Sequence, residues 1–277
     1  MSSCRSETAK AGLIAELRSR IATLETGAVP LDAAVSRPAV VSFGAASLDE
    51  ALPGGGLACG ALHEVRADDY RDMGASLGFA VALAARCAAA FSDAPVLWCE
   101  GARAPFDVGR FYGPGLAAFG LDPARLVLVS PASPVDCLWT MEEALRLGAF
   151  AAVIGEIDGR ANALSLTATR RLQLMAEESG RPAFLLTGHG KASGTSAAVT
   201  RWVVKAAPSS PTVEDAALVG RPRWHMRLEK CRGTSAAAMS DLAARAQCLE
   251  WDPRRRLFGD VADESAAAIA PDFRLAV

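Results

Sequence analysis

Short apolar blocks alternate with longer helical patterns through most of the chain. Residues 61–65, 96–99, 126–129, 151–157 and 183–187 read as buried strands. Between them lie a nearly all-apolar, alanine-rich helix over 75–91 and a further helix over 134–148. A third helix over 164–179 has Leu164, Ala168, Leu172, Met175 and Ala176 on one face. Gly180 and Pro182 stop that last helix as C-terminal signals do. Residues 106–119 read as a loop and helix ended by Gly120 and Asp122-Pro123. Strands alternating with helices at this spacing predict an α/β fold with a mostly parallel sheet and helices on both faces. Residues 201–206 and 224–229 alternate apolar and polar, as antiparallel-type strands do.

The two ends differ from this core. Over residues 11–25, Ile14, Leu17, Ile21 and Leu24 fall at heptad-like spacing with charged residues around them, which predicts a short amphipathic helix. Such a stripe either covers its own domain or docks on a partner or second protomer. The expected organisation is a helix and linker over 1–38, a core over 39–232 and a loosely structured extension over 233–277.

Composition narrows the setting more than the chemistry. Half of the 277 residues are apolar, as a folded globule requires. The seven cysteines are scattered without a C-x-x-C pair, and there are three histidines. This argues against a disulfide framework or a zinc site and for a reducing compartment, so a cytoplasmic location is expected. Charge is uneven. Residues 1–180 hold 15 basic and 21 acidic side chains, whereas 181–256 hold 13 and 6, a hint of an anionic partner for the later part.

Residues 47–76 carry the candidate chemistry. A glycine-rich approach, a strand and a helix entry are the setting of a phosphate-binding P-loop, G-x-x-x-x-G-K-[ST]. Counting back from Gly74, Asp69 stands at the first glycine and Ala75 at the lysine, so only Gly74 and Ser76 survive. The lysine neutralises the outer phosphates in such loops. Hydrogen bonds to charged groups contribute roughly 1.5–3 kcal/mol each. Asp68, Asp69 and Asp72 add carboxylates where a triphosphate would lie. No cofactor is expected, ATP included, and no catalytic or metal-ligating residue is assigned.

Taken in order, these segments resemble the RecA/RadA superfamily. F-G-x-x-S-L-D-E-x-L-x-G-G-G-L-x-x-G at residues 43–60 is similar to that family's approach to its P-loop. V-L-W-C-E at 96–100 is similar to its second core strand, and residues 147–156 to its Walker B strand. The resemblance implies that Glu100 occupies the water-activating position and Glu156 the Walker B acid, both remnants of a nucleotide site with Gly74 and Ser76. Thr187-Gly188-His189-Gly190 stands where active relatives carry a γ-phosphate-sensing glutamine.

Within the superfamily, the L-R-x-R-I-x-x-L-E helix at 17–25, the degenerate P-loop and the compact length resemble the ImuA family of damage-inducible mutagenesis cassettes. That resemblance implies a non-enzymatic role in SOS-induced error-prone translesion DNA synthesis. The implied partners are an ImuB-like protein and an error-prone C-family polymerase, with contact to a RecA-family protein a further expectation. It also implies that residues 188–200 lie where the superfamily has its second DNA-binding loop. Lys191, Arg201, Lys205, Arg170 and Arg171 are then the candidate contacts for weak, sequence-indifferent binding of single-stranded DNA. Arg221, Arg223, Arg227, Lys230 and Arg232 form a second basic cluster. Two other readings stand beside this one: an ATP-dependent RecA-type recombination protein, which Ala75 opposes, and a SulA-like effector of cell division.

The terminal helix generates a first prediction. If Ile14, Leu17, Ile21 and Leu24 form a docking stripe, Leu17→Asp abolishes self-association or partner binding in size-exclusion chromatography and leaves the melting temperature unchanged. A lowered melting temperature instead means that the helix covers its own domain.

Overall fold

Strand β3 (Leu62–Ala67) is buried at every position, the mark of a strand covered on both faces. In the computed structural model it lies between β7 (Ala183–His189) and β8 (Thr200–Ala207), parallel to both. The structure describes residues 40–92, 94–101, 105–190, 194–210, 219–234, 239 and 247–261. The candidate docking stripe Ile14, Leu17, Ile21 and Leu24 lies outside the described residues, with the linker that follows it.

Beyond β7 the sheet continues in parallel through β6 (Ala152–Glu156), β4 (Val96–Cys99) and the edge strand β5 (Leu126–Val129). On the other side β8 turns the sheet antiparallel, pairing with β9 (Arg223–Cys231), which pairs with β10 (Gln247–Asp252) and then β11 (Leu257–Val261). Among the described residues the order is β11-β10-β9-β8-β3-β7-β6-β4-β5. A small ribbon of β1 (Val40–Val41) and β2 (Leu57–Ala58) stands apart, with the short helix α1 (Ala46–Ala51) between its strands.

Helices cover both faces where the sheet is parallel. On one face lies α2 (Met73–Ala90), whose alanines let it sit close to β3 and β8. By length and composition Tyr70–Ala90 is apolar enough to cross a membrane, but most of it is buried as a core helix. The short helix α3 (Gly113–Ala118) follows β4. On the opposite face α4 (Pro134–Leu147) packs on β6 and β4, and α5 (Leu166–Ser179) packs beside it. Both begin at a serine whose hydroxyl accepts a first-turn N–H, and both end at a left-handed glycine. Each serine cap contributes about 1 kcal/mol. At Gly155 in β6 a Cβ would stand 2.3 Å from Met141 Sδ, so any side chain there would force Met141 of α4 to move.

The expected loose extension over 233–277 is corrected for residues 247–261. They form the β10–β11 hairpin, which completes the sheet and is anchored by aromatic packing. The Phe258 ring lies 5.6 Å from Phe43, 5.3 Å from Phe79 and 4.8 Å from Trp251, centroid to centroid. Trp251 Nε1–H donates to Phe119 O at 3.0 Å. The hairpin is hard to see in the sequence because its apolar residues are sparse, but Leu249, Trp251 and Phe258 are buried in the core that α2 covers. Strands β8 and β9 occur where alternation predicted them, with β8 antiparallel on one side only.

Phe258→Ala is therefore expected to lower the unfolding free energy by about 3–5 kcal/mol, read by urea denaturation. A loss below about 0.5 kcal/mol would return the hairpin to the status of an appendage.

Candidate functional site

The junction between β3 and α2 is where a phosphate loop would stand. Five residues, 68–72, connect the strand to the helix, and Tyr70–Asp72 form a single 3-10 turn. Asp69 Oδ1 caps that turn by accepting Arg71 N–H at 2.6 Å. Asp68 N–H donates to Val204 O at 2.9 Å, and the buried Asp72 accepts Ala206 N–H at 2.8 Å. The junction is thus fastened down onto β8. No residue from 68 to 76 has a positive φ. A concave nest of N–H groups is built from such alternation, which this turn lacks. Gly74 is exposed on the first turn of α2, and Ser76 Oγ donates back to Met73 O at 2.9 Å.

The upstream glycine-rich motif does a different task. The Asp49 carboxylate accepts Ser42 Oγ–H at 2.7 Å, Phe43 N–H at 2.8 Å and Gly44 N–H at 3.1 Å, closing the turn before α1. At Gly56 a Cβ would stand 2.8 Å from Val41 O, where the β1–β2 ribbon closes. This motif builds the ribbon beside the sheet.

Glu100 and Glu156 do come together, at the C-terminal ends of β4 and β6. Both line a cleft of about 600 Å³ that also takes in Gly74 and the start of α2. Glu156 Oε1 accepts Trp98 Nε1–H at 2.8 Å, and Oε2 accepts Gly101 N–H at 2.6 Å. Burial pushes its carboxyl up to about 7, against the pull of those two donors, and the Glu100 charge acts in the same upward direction. Glu100 accepts Ser130 Oγ–H at 3.3 Å. The opposite wall is aromatic, with Phe106, Phe111, Tyr112 and Phe119 from the 106–119 segment. Phe111 stands edge-on to Trp98 at 4.8 Å. That wall was read in the sequence only as loop and helix; its signal was three aromatics beside Gly109, interleaved with Asp107 and Arg110. At the sensor position His189 meets Tyr70 edge-on at 5.6 Å, and Gly188, at φ +79°, lies where a Cβ would strike Pro105.

The candidate DNA contacts do not form one free cationic surface. Arg201 Nε is 2.5 Å from Glu64 Oε2, and Glu64 is buried, so this guanidinium neutralises a carboxylate inside the fold. Arg171 pairs with Glu142 of α4. Lys205 and Arg170 are exposed, on β8 and α5, and Lys191 lies outside the described residues. Nor are residues 196–199 a solvated loop: Ala197 and Ala198 are buried, and Ala197 N–H donates to Thr169 Oγ1 at 3.1 Å. In the second cluster Arg221 and Arg223 pair with Asp252 and Glu250 at 3.2 and 2.7 Å, and Arg227 with Glu229 at 3.0 Å. Lys230 Nζ and Arg232 donate to the carbonyls of Ser196 and Ala197. The sequence showed the cations but not the acids that hold most of them, because the partners of Arg171, Arg201, Arg221 and Arg223 come from elements distant in the chain.

Two curated relatives, both named Protein ImuA and from two strains of Caulobacter vibrioides, are each 36% identical to this chain over 204 residues. The match spans 70% of this chain and 79% of theirs. Among solved structures, the crystal structure of the RadB recombinase matches with a TM-score of 0.51 at 17% identity, covering 80% of this chain and 100% of that one. This likeness shows a RecA-like fold. No family model matches the chain.

The Glu64–Arg201 pair generates a direct test. Removing one partner of a buried pair costs about 3–5 kcal/mol, because the other charge is left unpaired. Arg201→Ala is expected to destabilise by that amount in urea. It should leave the salt dependence of single-stranded DNA affinity, read by fluorescence anisotropy, as in the wild type. A salt slope reduced by about 0.7 would instead place Arg201 on a phosphate.

Proposed function

The chain belongs to the ImuA family, and from that premise we propose that it is a non-catalytic, RecA-like accessory protein of damage-induced, error-prone translesion DNA synthesis. In this reading it acts beside an ImuB-like protein and an error-prone C-family polymerase, without ATP or another cofactor. The observation that carries the non-catalytic part is the β3–α2 junction. It offers three aspartates, a 3-10 turn without left-handed residues and Ala75 where phosphoryl transfer needs a lysine and a ring of N–H donors. Glu100 and Glu156 remain, but carboxylates alone hold neither a triphosphate nor the charge that develops on transfer.

The internal pairing of the basic residues supports a further part of the proposal. Arg171, Arg201, Arg221, Arg223 and Arg227 each meet a carboxylate of the same chain. Direct DNA contact in this reading is therefore weak and rests on exposed cations such as Lys205 and Arg170. The protein contributes chiefly by holding other proteins of the complex.

The purified chain is expected to show no ATP turnover above a buffer blank, and Ala75→Lys alone should create none, since the turn itself is the wrong shape. Turnover by the wild type that disappears in Glu100→Gln would overturn the non-catalytic reading. In cells, removal of the gene should lower the frequency of damage-induced mutation, and the wild-type gene supplied in trans should restore it. Failure of the wild-type gene to restore it would remove the translesion role.

A further inference from the structure

The cleft above β4 and β6 is left without a task once nucleotide chemistry is set aside. We propose that it receives an arginine side chain, carried between apolar residues, from a partner protein. The proposal rests on the reading that the cleft holds no nucleotide, and it goes further by naming the occupant's chemistry.

Three observations carry it. The volume, about 600 Å³, is in the range of sites that enclose a small group with its flanking residues. One wall is aromatic: Phe106, Phe111, Tyr112 and Phe119 offer ring faces and edges, and Tyr112 is 71% exposed and so open to an incoming plane. Guanidinium groups stack on such rings and bury their apolar stems along them. The charge is complementary as well. Glu100, Asp107 and Glu156 line the cleft against one cation, Arg110, while Asp68 and Asp69 stand at the neighbouring junction and repel anions. A planar fork of N–H donors matches two carboxylates better than a compact ammonium does.

Glu156 ties occupancy to pH. The groups around it are Glu100, Asp107 and Arg110 in the cleft, the Trp98 and Gly101 N–H donors beneath, and the thiols of Cys99 and Cys137 below the sheet. With no cation against it, burial pushes the carboxyl up to about 7, so a substantial share of it is protonated near neutral pH. An arriving guanidinium favours the ionised form, so binding releases a proton and strengthens as pH rises through about 7.

The test uses the full chain and two capped tripeptides, Leu-Arg-Leu and the same peptide with citrulline, which keeps the shape and loses the charge. Binding is followed by the NMR shift of the Trp98 indole N–H, whose acceptor is Glu156. The arginine peptide should bind at least about tenfold more tightly than the citrulline peptide, one charge-assisted hydrogen bond being worth that much. Its affinity should rise about tenfold from about pH 6 to about pH 8. Glu156→Gln should abolish the pH dependence, and Tyr112→Ala, at an exposed position, should weaken binding several-fold without changing the melt. If Glu156→Gln does not fold, Glu100→Gln with Tyr112→Ala carries the test, and unchanged affinity in that pair overturns the proposal. Equal affinity for the two peptides also overturns it. Neither result touches the accessory role, which fails instead on ATP turnover.

Discussion

Polar side chains buried on the central strand bind the two halves of the molecule to each other. Strand β3 carries His63, Glu64 and Arg66 with almost no exposure, in the middle of a sheet covered by helices. An unpaired charge there would cost several kcal/mol, so each group must find a partner in the folded chain. All three find one in the antiparallel extension or its first strand. His63 Nδ1 is 2.7 Å from Thr200 Oγ1, and its Nε2 is 2.8 Å from Ala58 O. Glu64 pairs with Arg201 and Arg66 with Glu229 at 2.5 Å. The Ala58 carbonyl can only accept, so a neutral His63 ring carries its proton on Nε2 and its Nδ1 accepts the Thr200 hydroxyl, which in turn accepts Trp202 Nε1–H. Burial pushes the His63 imidazole down to about 4, consistent with a neutral ring accepting the hydroxyl proton. These contacts set the register of β8 and β9 against β3.

That constraint explains which features were legible in the sequence. The parallel strands and the helices between them were visible because each depends on local signals: apolar runs, a one-sided apolar face over 164–179, and the stops at Gly180 and Pro182. The β10–β11 hairpin was not visible, because what makes it part of the sheet is packing of Trp251 and Phe258 against Phe43, Phe79 and Trp224, all distant in sequence. The same distance misled the reading of the cations. Arg201 and Arg223 look like a basic surface one residue at a time, but each is half of a pair whose acid lies on another strand. Alternating polar positions on β8 and β9 did signal a face left bare of helices. What they could not signal is that this face is a lattice of paired charges with few free ones.

The candidate site was legible as a position but not as a shape. Glu100 and Glu156 meet, as their placement at strand ends implied, and Gly74 borders the same cleft. The aromatic wall did not announce itself, since four rings spread over 106–119 have no helical or strand period. Their convergence depends on α3 folding back over the end of β4, with Phe111 set against Trp98. The result is a cleft with carboxylates on its floor and rings on its side, beside a turn that disfavours anions.

The proposed loss of nucleotide chemistry is compatible with retention of the fold, because the two depend on different residues. Gly56 sits where any side chain would collide with Val41, and Asp49 closes the turn at Ser42–Gly44; changes there damage the ribbon against which Phe43 and the hairpin pack. Ala75, by contrast, lies on the half-buried flank of the first turn of α2, where an alanine favours the helix and no packing requires a lysine. Asp69 and Asp72 even improve the junction, one by capping the 3-10 turn and the other by holding Ala206. A phosphate loop stores unpaired N–H groups that only a ligand satisfies, whereas this junction satisfies its own. The carboxylates that oppose a phosphate here also hold the junction together, Asp72 by tying it to β8 and Asp69 by capping its turn. The scaffold keeps its stability while its cleft is free to take a ligand of opposite charge.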